Sequence, residues 1–210
     1  MKRGSLYDFS PRNTGLYEAR LWKAYYDRNW PLALLLVFRL LRSQFNLSPL
    51  QAAQATYYSI CAAIAWSPRI NNGERVQALL TRFYAVLRDA TGAEFDPEVA
   101  GAAEFEYWAV HRCLDGQKDQ PELIDALTKI AAEVYSLPTA RARPAGAARA
   151  RACDLVDDIT AGRQAPTREA WVAVEAALRE AYSRLREEVA GERRTTVQAD
   201  AASLSCSSLM

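Results

Sequence analysis

Histidine is almost missing from this chain: His111 stands alone among 210 residues, beside four cysteines, nine glycines and nine prolines. Each shortage excludes a chemistry. Zinc sites of the Cys/His kind need ligands at paired spacings, and Cys61, Cys113, Cys153 and Cys206 form no C-x-x-C pair. The dimetal sites of helical bundles draw a Glu-x-x-His from each of two helices. Here the residue three before His111 is Trp108, and no Glu-x-x-His occurs. No metal is therefore expected, and the sequence names no cofactor. The cysteines are too few for a disulfide scaffold and are expected to be reduced and buried. Neither G-x-x-x-x-G-K-[ST] nor G-x-G-x-x-G is present to cradle a phosphate, and there is no G-x-S-x-G nucleophile elbow.

An excess of one charge is missing as well. Twenty-six Lys and Arg face 25 Asp and Glu, a net charge of +1, so no global field recruits nucleic acid or an acidic membrane. Arg141, Arg143, Arg149 and Arg151 make a local basic run, but Asp154, Asp157 and Asp158 follow it. Arg151 can reach Asp154 on a helix, so the run reads as self-neutralising surface pairing rather than a nucleic-acid site.

Apolar runs are short. NWPLALLLVF is about ten residues, against the roughly 20 that a spanning helix needs. The uncharged stretch 43–68 is interrupted by Gln44, Asn46, Gln51, Gln54, Thr56 and Ser59. Membrane insertion is not expected, and a helix buried on most sides explains both runs. No apolar stretch follows Lys2 and Arg3, so no secretory leader is expected and the setting is read as cytoplasmic and reducing.

What is present is helical periodicity. Half of the residues are hydrophobic, enough to bury a core in one soluble domain. Leu16 to Arg28 is an aromatic-rich periodic stretch, and Pro31 either kinks it or starts a fresh helix. Ser48, Pro49 and Gln51 spell an N-cap, a first-turn proline and a capping box for a helix that stops at Ser67-Pro68. Asn71 to Glu74 reads as a second box. Asp96-Pro97 opens a helix ending near Gly116, and Pro121 opens one stopped by Pro138. Residues 139–146 read as a loop or frayed turn, followed by a helix closing at Gly162. Thr167 caps a last helix whose Trp171, Val174, Leu178, Ala181 and Leu185 alternate by 3 and 4. That seam is too short for an independent coiled coil, so it docks on the bundle or on a second copy, giving a homodimer through the last helix. The fold expected is all-α: a single bundle of seven to eight helices over 14–190, an N-terminal extension 1–13 and a disordered tail 191–210.

The segments YEARLWKAYYDRNW, SPLQAA, FEYWAVHR and RARACDLVDDITAG together resemble a family of all-helical bacterial proteins of unknown function. The resemblance spans most of 14–190 and implies the helical fold. It implies no activity, ligand or catalytic residue.

Chemistry must then come from carboxylates and His111 on apolar helices. Glu104, Trp108, His111 and Asp115 step by 4, 3 and 4 and share one helical face. Glu104 and His111 lie two turns apart, about 10 Å along the axis, too far for a direct hydrogen bond but suited to opposite ends of one ligand. Glu106 has Val99, Ala102, Ala103, Val110 and Cys113 as helical neighbours; on a buried stripe it would have to be paired or protonated. Glu18 shares a face with Trp22, Tyr25 and Tyr26, and Arg20, Arg39 and Arg42 are its expected cations. Glu106, His111 and Glu18 are the candidate acid–base residues. Glu104, Trp108, Trp22, Tyr57 and Tyr58 are the candidate ligand contacts. Two readings follow. One is a small-molecule-binding or protein-interaction module with an aromatic-lined pocket. The other is an enzyme doing acid–base chemistry on a small, partly apolar substrate.

Overall fold

The computed structural model describes residues 4–114 and 116–207, and for 192–207 the course of the helix only. The chain is all-α. Its described residues form eight helices: α1 (Pro11–Tyr26), α2 (Trp30–Phe45), α3 (Pro49–Trp66), α4 (Gly73–Thr91), α5 (Pro97–Leu114), α6 (Pro121–Tyr135), α7 (Thr139–Thr160) and α8 (Arg168–Ser207). Each helix packs on the next in sequence, and α8 packs back on α1, so the eight close a ring. Short connections make sequential neighbours antiparallel.

The starts of the helices obey local capping chemistry. The Ser48 hydroxyl accepts from the Gln51 N–H while the Gln51 side chain accepts from the Ser48 N–H, the reciprocal box expected there. Ser10 and Asn29 cap α1 and α2, each followed by a proline in the first turn. Two expectations shift. Asn72 rather than Asn71 caps α4, because the Asn71 side chain instead donates to the carbonyls of Trp66 and Pro68. Residues 139–146 are not a loop but the first turns of α7, with Pro144 inside the helix. Four of these eight residues are Ala or Gly, and Ala142, Ala145 and Gly146 are buried, so tertiary packing overrides the proline's local preference.

Helix faces follow the apolar period. The largest cluster joins Leu41, Phe45, Leu87, Leu127, Val134 and Leu185 among others, drawn from most of the helices. A second cluster holds the α8 seam: Trp171, Val174 and Leu178 pack with Ala19 of α1 and Val156 and Ile159 of α7. The seam thus docks within the chain, one of the two outcomes foreseen for it. Close crossings need glycine at three joints, one of them Gly146 of α7 against Thr128 of α6. A Cβ on Gly15 would stand 2.8 Å from the Arg179 backbone nitrogen of α8, and one on Gly101 would stand 2.8 Å from that of Thr81 on α4. The backbone of α8 continues past Gly191, where the sequence pattern dissolves. The side chains of 192–210, on which the expected disordered tail falls, lie outside the described residues. Among the described residues no helix is long and apolar enough to cross a membrane.

Candidate functional site

At the centre of the ring lies a polar cluster built around one arginine. Ala142, Ala145, Ala152, Cys153 and Val156 make the buried stripe of α7, and Arg149 falls within that stripe. Its guanidinium donates from Nη2 to Glu18 Oε1 on α1 at 2.6 Å. The other Glu18 oxygen accepts from the Tyr182 hydroxyl of α8 at 2.7 Å. Glu18 is only 2 % exposed, and each of its oxygens accepts one of these two hydrogen bonds.

Arg149 serves more than Glu18. Its positive charge acts on Tyr84, Glu104, Tyr107, Tyr135, Cys153 and Tyr182, which come from α4, α5, α6, α7 and α8. Burial works against the guanidinium charge, but Glu18 and the surrounding hydroxyls hold its pKa well above the ordinary arginine value. Burial raises the tyrosine hydroxyls above their usual range, so they stay protonated, and those of Tyr84 and Tyr182 donate to the carboxylates. It also pushes the Cys153 thiol up to about 12, leaving it an inert neighbour of the Tyr107 hydroxyl at 3.7 Å.

Glu104 is the second carboxyl of the cluster. Its oxygens accept from Tyr84 Oη at 3.0 Å and from Trp108 Nε1 at 2.9 Å. Burial lifts its pKa above the usual carboxylate range, outweighing the opposing pull of Arg149 and of both hydrogen bonds. One turn beyond Trp108, His111 Nε2 lies 3.1 Å from Asp157 Oδ2 of α7. The imidazole stacks on Tyr107 with ring centroids 5.9 Å apart. Glu104, Trp108 and His111 of the sequence-predicted face of α5 all turn to the other helices, and Glu104 and His111 engage separate partners rather than each other. Asp115 lies outside the described residues.

Other expectations are corrected. Glu106 is not on a buried stripe: its side chain is 48 % exposed and pairs with Lys129 of α6 at 2.5 Å. Its neighbours Val99 and Cys113 are exposed too, so that side of α5 faces solvent and Glu106 leaves the site. The cation of Glu18 is Arg149, not Arg20, Arg39 or Arg42. Arg151 pairs with Glu180 rather than Asp154, and Asp158 with Lys118 and Arg163. Trp22 packs between two apolar clusters. Tyr57 is 63 % exposed and stacks edge-on against Tyr58 on α3, so neither belongs to the Arg149 cluster. Of the cysteines, Cys153 is buried, but Cys113 is exposed and Cys61 half-buried; the side chain of Cys206 is outside the described residues.

Sequence reasoning missed Arg149, Tyr84, Tyr135, Tyr182, Gln44 and Asp157. Gln44 of α2 donates to the Tyr135 hydroxyl at 3.0 Å, so α2 also contributes to the cluster. Only α3 sends it no side chain of this kind. That helix instead offers the buried small residues Ala52, Ala55 and Ala62, and Thr56, whose buried hydroxyl has no partner.

Arg149 itself is not saturated. Its Nε is buried and has no hydrogen-bond partner, while 27 % of the side chain is accessible. A guanidinium with a dry, unused N–H is costly. Two outer grooves, of about 400 Å³ between α6, α7 and α8 and about 320 Å³ between α1 and α8, are lined by neither Arg149 nor Glu104. In the larger one Arg151 and Arg184 already share Glu180. Among the described residues no group of three or more His, Cys, Asp or Glu could hold a metal. No family profile, curated protein or solved structure matches this chain.

Proposed function

We propose that this chain binds a small, partly apolar molecule within the helical ring, with a hydrogen-bond-accepting head against Arg149. The observation that carries this reading is the buried, unpartnered Arg149 Nε on an otherwise apolar stripe, in a side chain of which 27 % is accessible. Glu18 and Tyr182 hold the guanidinium in place, so it is preorganised to receive an acceptor. Tyr84, Tyr107 and Tyr135 supply apolar rings with polar tips, the composition of a ligand site. The small inner residues of α3 supply a wall of low bulk.

Native mass spectrometry of freshly purified protein tests this. Extra mass held in the native spectrum and released on denaturation supports the reading if Arg149→Gln reduces its retention. A parent chain without extra mass, or retention unchanged in Arg149→Gln, overturns it.

A second reading has its own observation, the His111–Asp157 pair. A carboxylate bonded to one ring nitrogen orients the imidazole and leaves the other free to take a proton. On that reading the bound molecule loses a proton to His111, with Glu104, protonated more readily than an ordinary carboxyl, as the acid. Incubation of the retained molecule with protein in heavy water reads this step directly. Deuterium incorporated at carbon by the parent and not by His111→Gln supports an enzyme; equal incorporation in both excludes that role for His111.

A further inference from the structure

Residues 28–73, which span α2 and α3, contain no Asp or Glu at all, although the chain has 25. Four arginines lie in the stretch, Arg28, Arg39, Arg42 and Arg69, and all four are exposed. The same stretch carries most of the large apolar side chains left facing water. On α2, Leu32, Leu34 and Leu35 are 42–45 % exposed, and on α3, Leu50 and Ile64 are 74 % and 67 % exposed. They share their surfaces with Arg39 and Arg42, which continue the outer stripe of α2, while Ala33, Leu36, Val37 and Leu40 face inward. At the N-terminal end of α2 stand three exposed aromatics. Tyr25 meets Tyr26 at 5.2 Å and Trp30 at 5.7 Å, edge to face in both cases.

From this arrangement we infer that the outer face of α2, with the adjoining face of α3, docks on the surface of an anionic phospholipid bilayer. Charge selects the occupant. A two-fold contact between copies would set the same patch against itself, arginines against arginines with no acid on α2 or α3 to pair them; Asp27, beside the aromatics, is already paired with Lys23. A bilayer carrying anionic headgroups supplies those charges in number. The residue types divide as an interfacial helix requires: leucines to enter the acyl boundary, Tyr and Trp at the headgroup level, and arginines reaching the phosphates. At 16 residues α2 lies on the membrane rather than through it. This inference stands apart from the Arg149 site and survives or fails without it.

Flotation of the full chain with vesicles tests it, comparing phosphatidylcholine alone with phosphatidylcholine containing phosphatidylglycerol. The chain is expected to float with the anionic vesicles and not with the neutral ones. Arg39→Gln should weaken the partition about fivefold, and high salt should weaken it further. Leu34→Glu/Leu35→Glu should abolish flotation with an unchanged helical circular dichroism spectrum; if that pair fails to fold, Trp30→Gln reads the same surface. Val172→Glu, at an exposed position on α8, should float like the parent. Failure to float with anionic vesicles, equal flotation with neutral ones, or flotation of the folded Leu34→Glu/Leu35→Glu variant overturns the inference. A dimer in solution that this variant dissociates also overturns it, in favour of a self-interface.

Discussion

Removing Arg149 should be among the most damaging single changes in the chain, and the geometry sets how damaging. Arg149→Met keeps the length and apolar volume of the side chain but leaves Glu18, 2 % exposed, with Tyr182 as its one remaining partner. Breaking a buried pair by deleting one member costs about 3–5 kcal/mol, because the other charge is left uncompensated. Glu18→Gln should cost less, near the lower end, because the Arg149 side chain is 27 % accessible and can be hydrated. Tyr182→Phe removes one hydrogen bond to a charged group, about 1.5–3 kcal/mol. For a chain of this size about 2–4 °C of melting temperature accompanies each kcal/mol, so Arg149→Met should melt about 6–20 °C below the parent. Urea unfolding of the parent, both single variants and Glu18→Gln/Arg149→Met closes a double-mutant cycle. The double variant buries no ion and should be more stable than additivity predicts, with a coupling of about 1–3 kcal/mol. A cost below about 1 kcal/mol for Arg149→Met, or additive singles, would refute the buried-pair argument.

Stability should also depend on pH through Glu104. Burial raises its native pKa above the ordinary carboxyl value of 4.5, so the folded chain holds a proton that the unfolded chain releases. That contribution is complete below pH 4.5 and is lost as pH rises through the native value. Glu104→Gln should flatten this fall in urea midpoints measured across a pH series; a slope identical to the parent's would contradict it. Gly101→Ala forces a methyl group within 2.8 Å of the Thr81 backbone nitrogen and should cost about 1–3 kcal/mol in thermal unfolding. Cys113, exposed, should react with an aromatic disulfide reagent in the native state, whereas Cys153, 1 % exposed with its thiol raised to about 12, should react only on unfolding. Native labelling of Cys153 at the rate of Cys113 would refute that. Ser48→Ala should lower stability by about 1 kcal/mol through loss of the α3 cap.

The helices were legible because their signals are local. A capping box, a first-turn proline and a 3.6-residue period each act within a few residues, so α3 and α6 begin where the sequence places them. Residues 139–146 show the limit: their helix depends on burial of Ala142, Ala145 and Gly146 against other elements, a non-local effect that overrules Pro144. The site divides the same way. That Glu104, Trp108 and His111 share one face followed from spacing along one helix. Spacing could not choose between the Glu104–His111 face and the stripe of Glu106, because α5 has apolar residues on both and only its neighbours decide which meets solvent. The cation of Glu18 lies 131 residues away in sequence, beyond any local rule. Yet Arg149 did leave a trace. It interrupts the small-residue stripe of Ala142, Ala145, Ala152 and Cys153, an anomaly like that of Glu106 on α5, masked by neighbouring arginines that suggest a solvated surface.

A bundle of this kind does not need an ion pair at its centre to close. The α8 seam, the capped helix starts and the glycine crossings at Gly15 and Gly101 already define how neighbouring helices meet. Apolar residues of equal volume in place of a buried pair are often neutral or stabilising. Glu18, Glu104 and Arg149 therefore carry a desolvation cost that packing alone does not require, and Arg149 Nε adds an unmet donor to it. Departures from local consistency of this sort are expected where a chain does chemistry or binds something. A test of that logic is Glu18→Leu/Arg149→Met, in which both charges give way to apolar groups. If the cluster serves a ligand, this variant should fold at least as stably as Arg149→Met while losing the mass retained by the parent in native spectra. If it unfolds outright, the pair is needed to define the fold, and the argument from surplus cost fails.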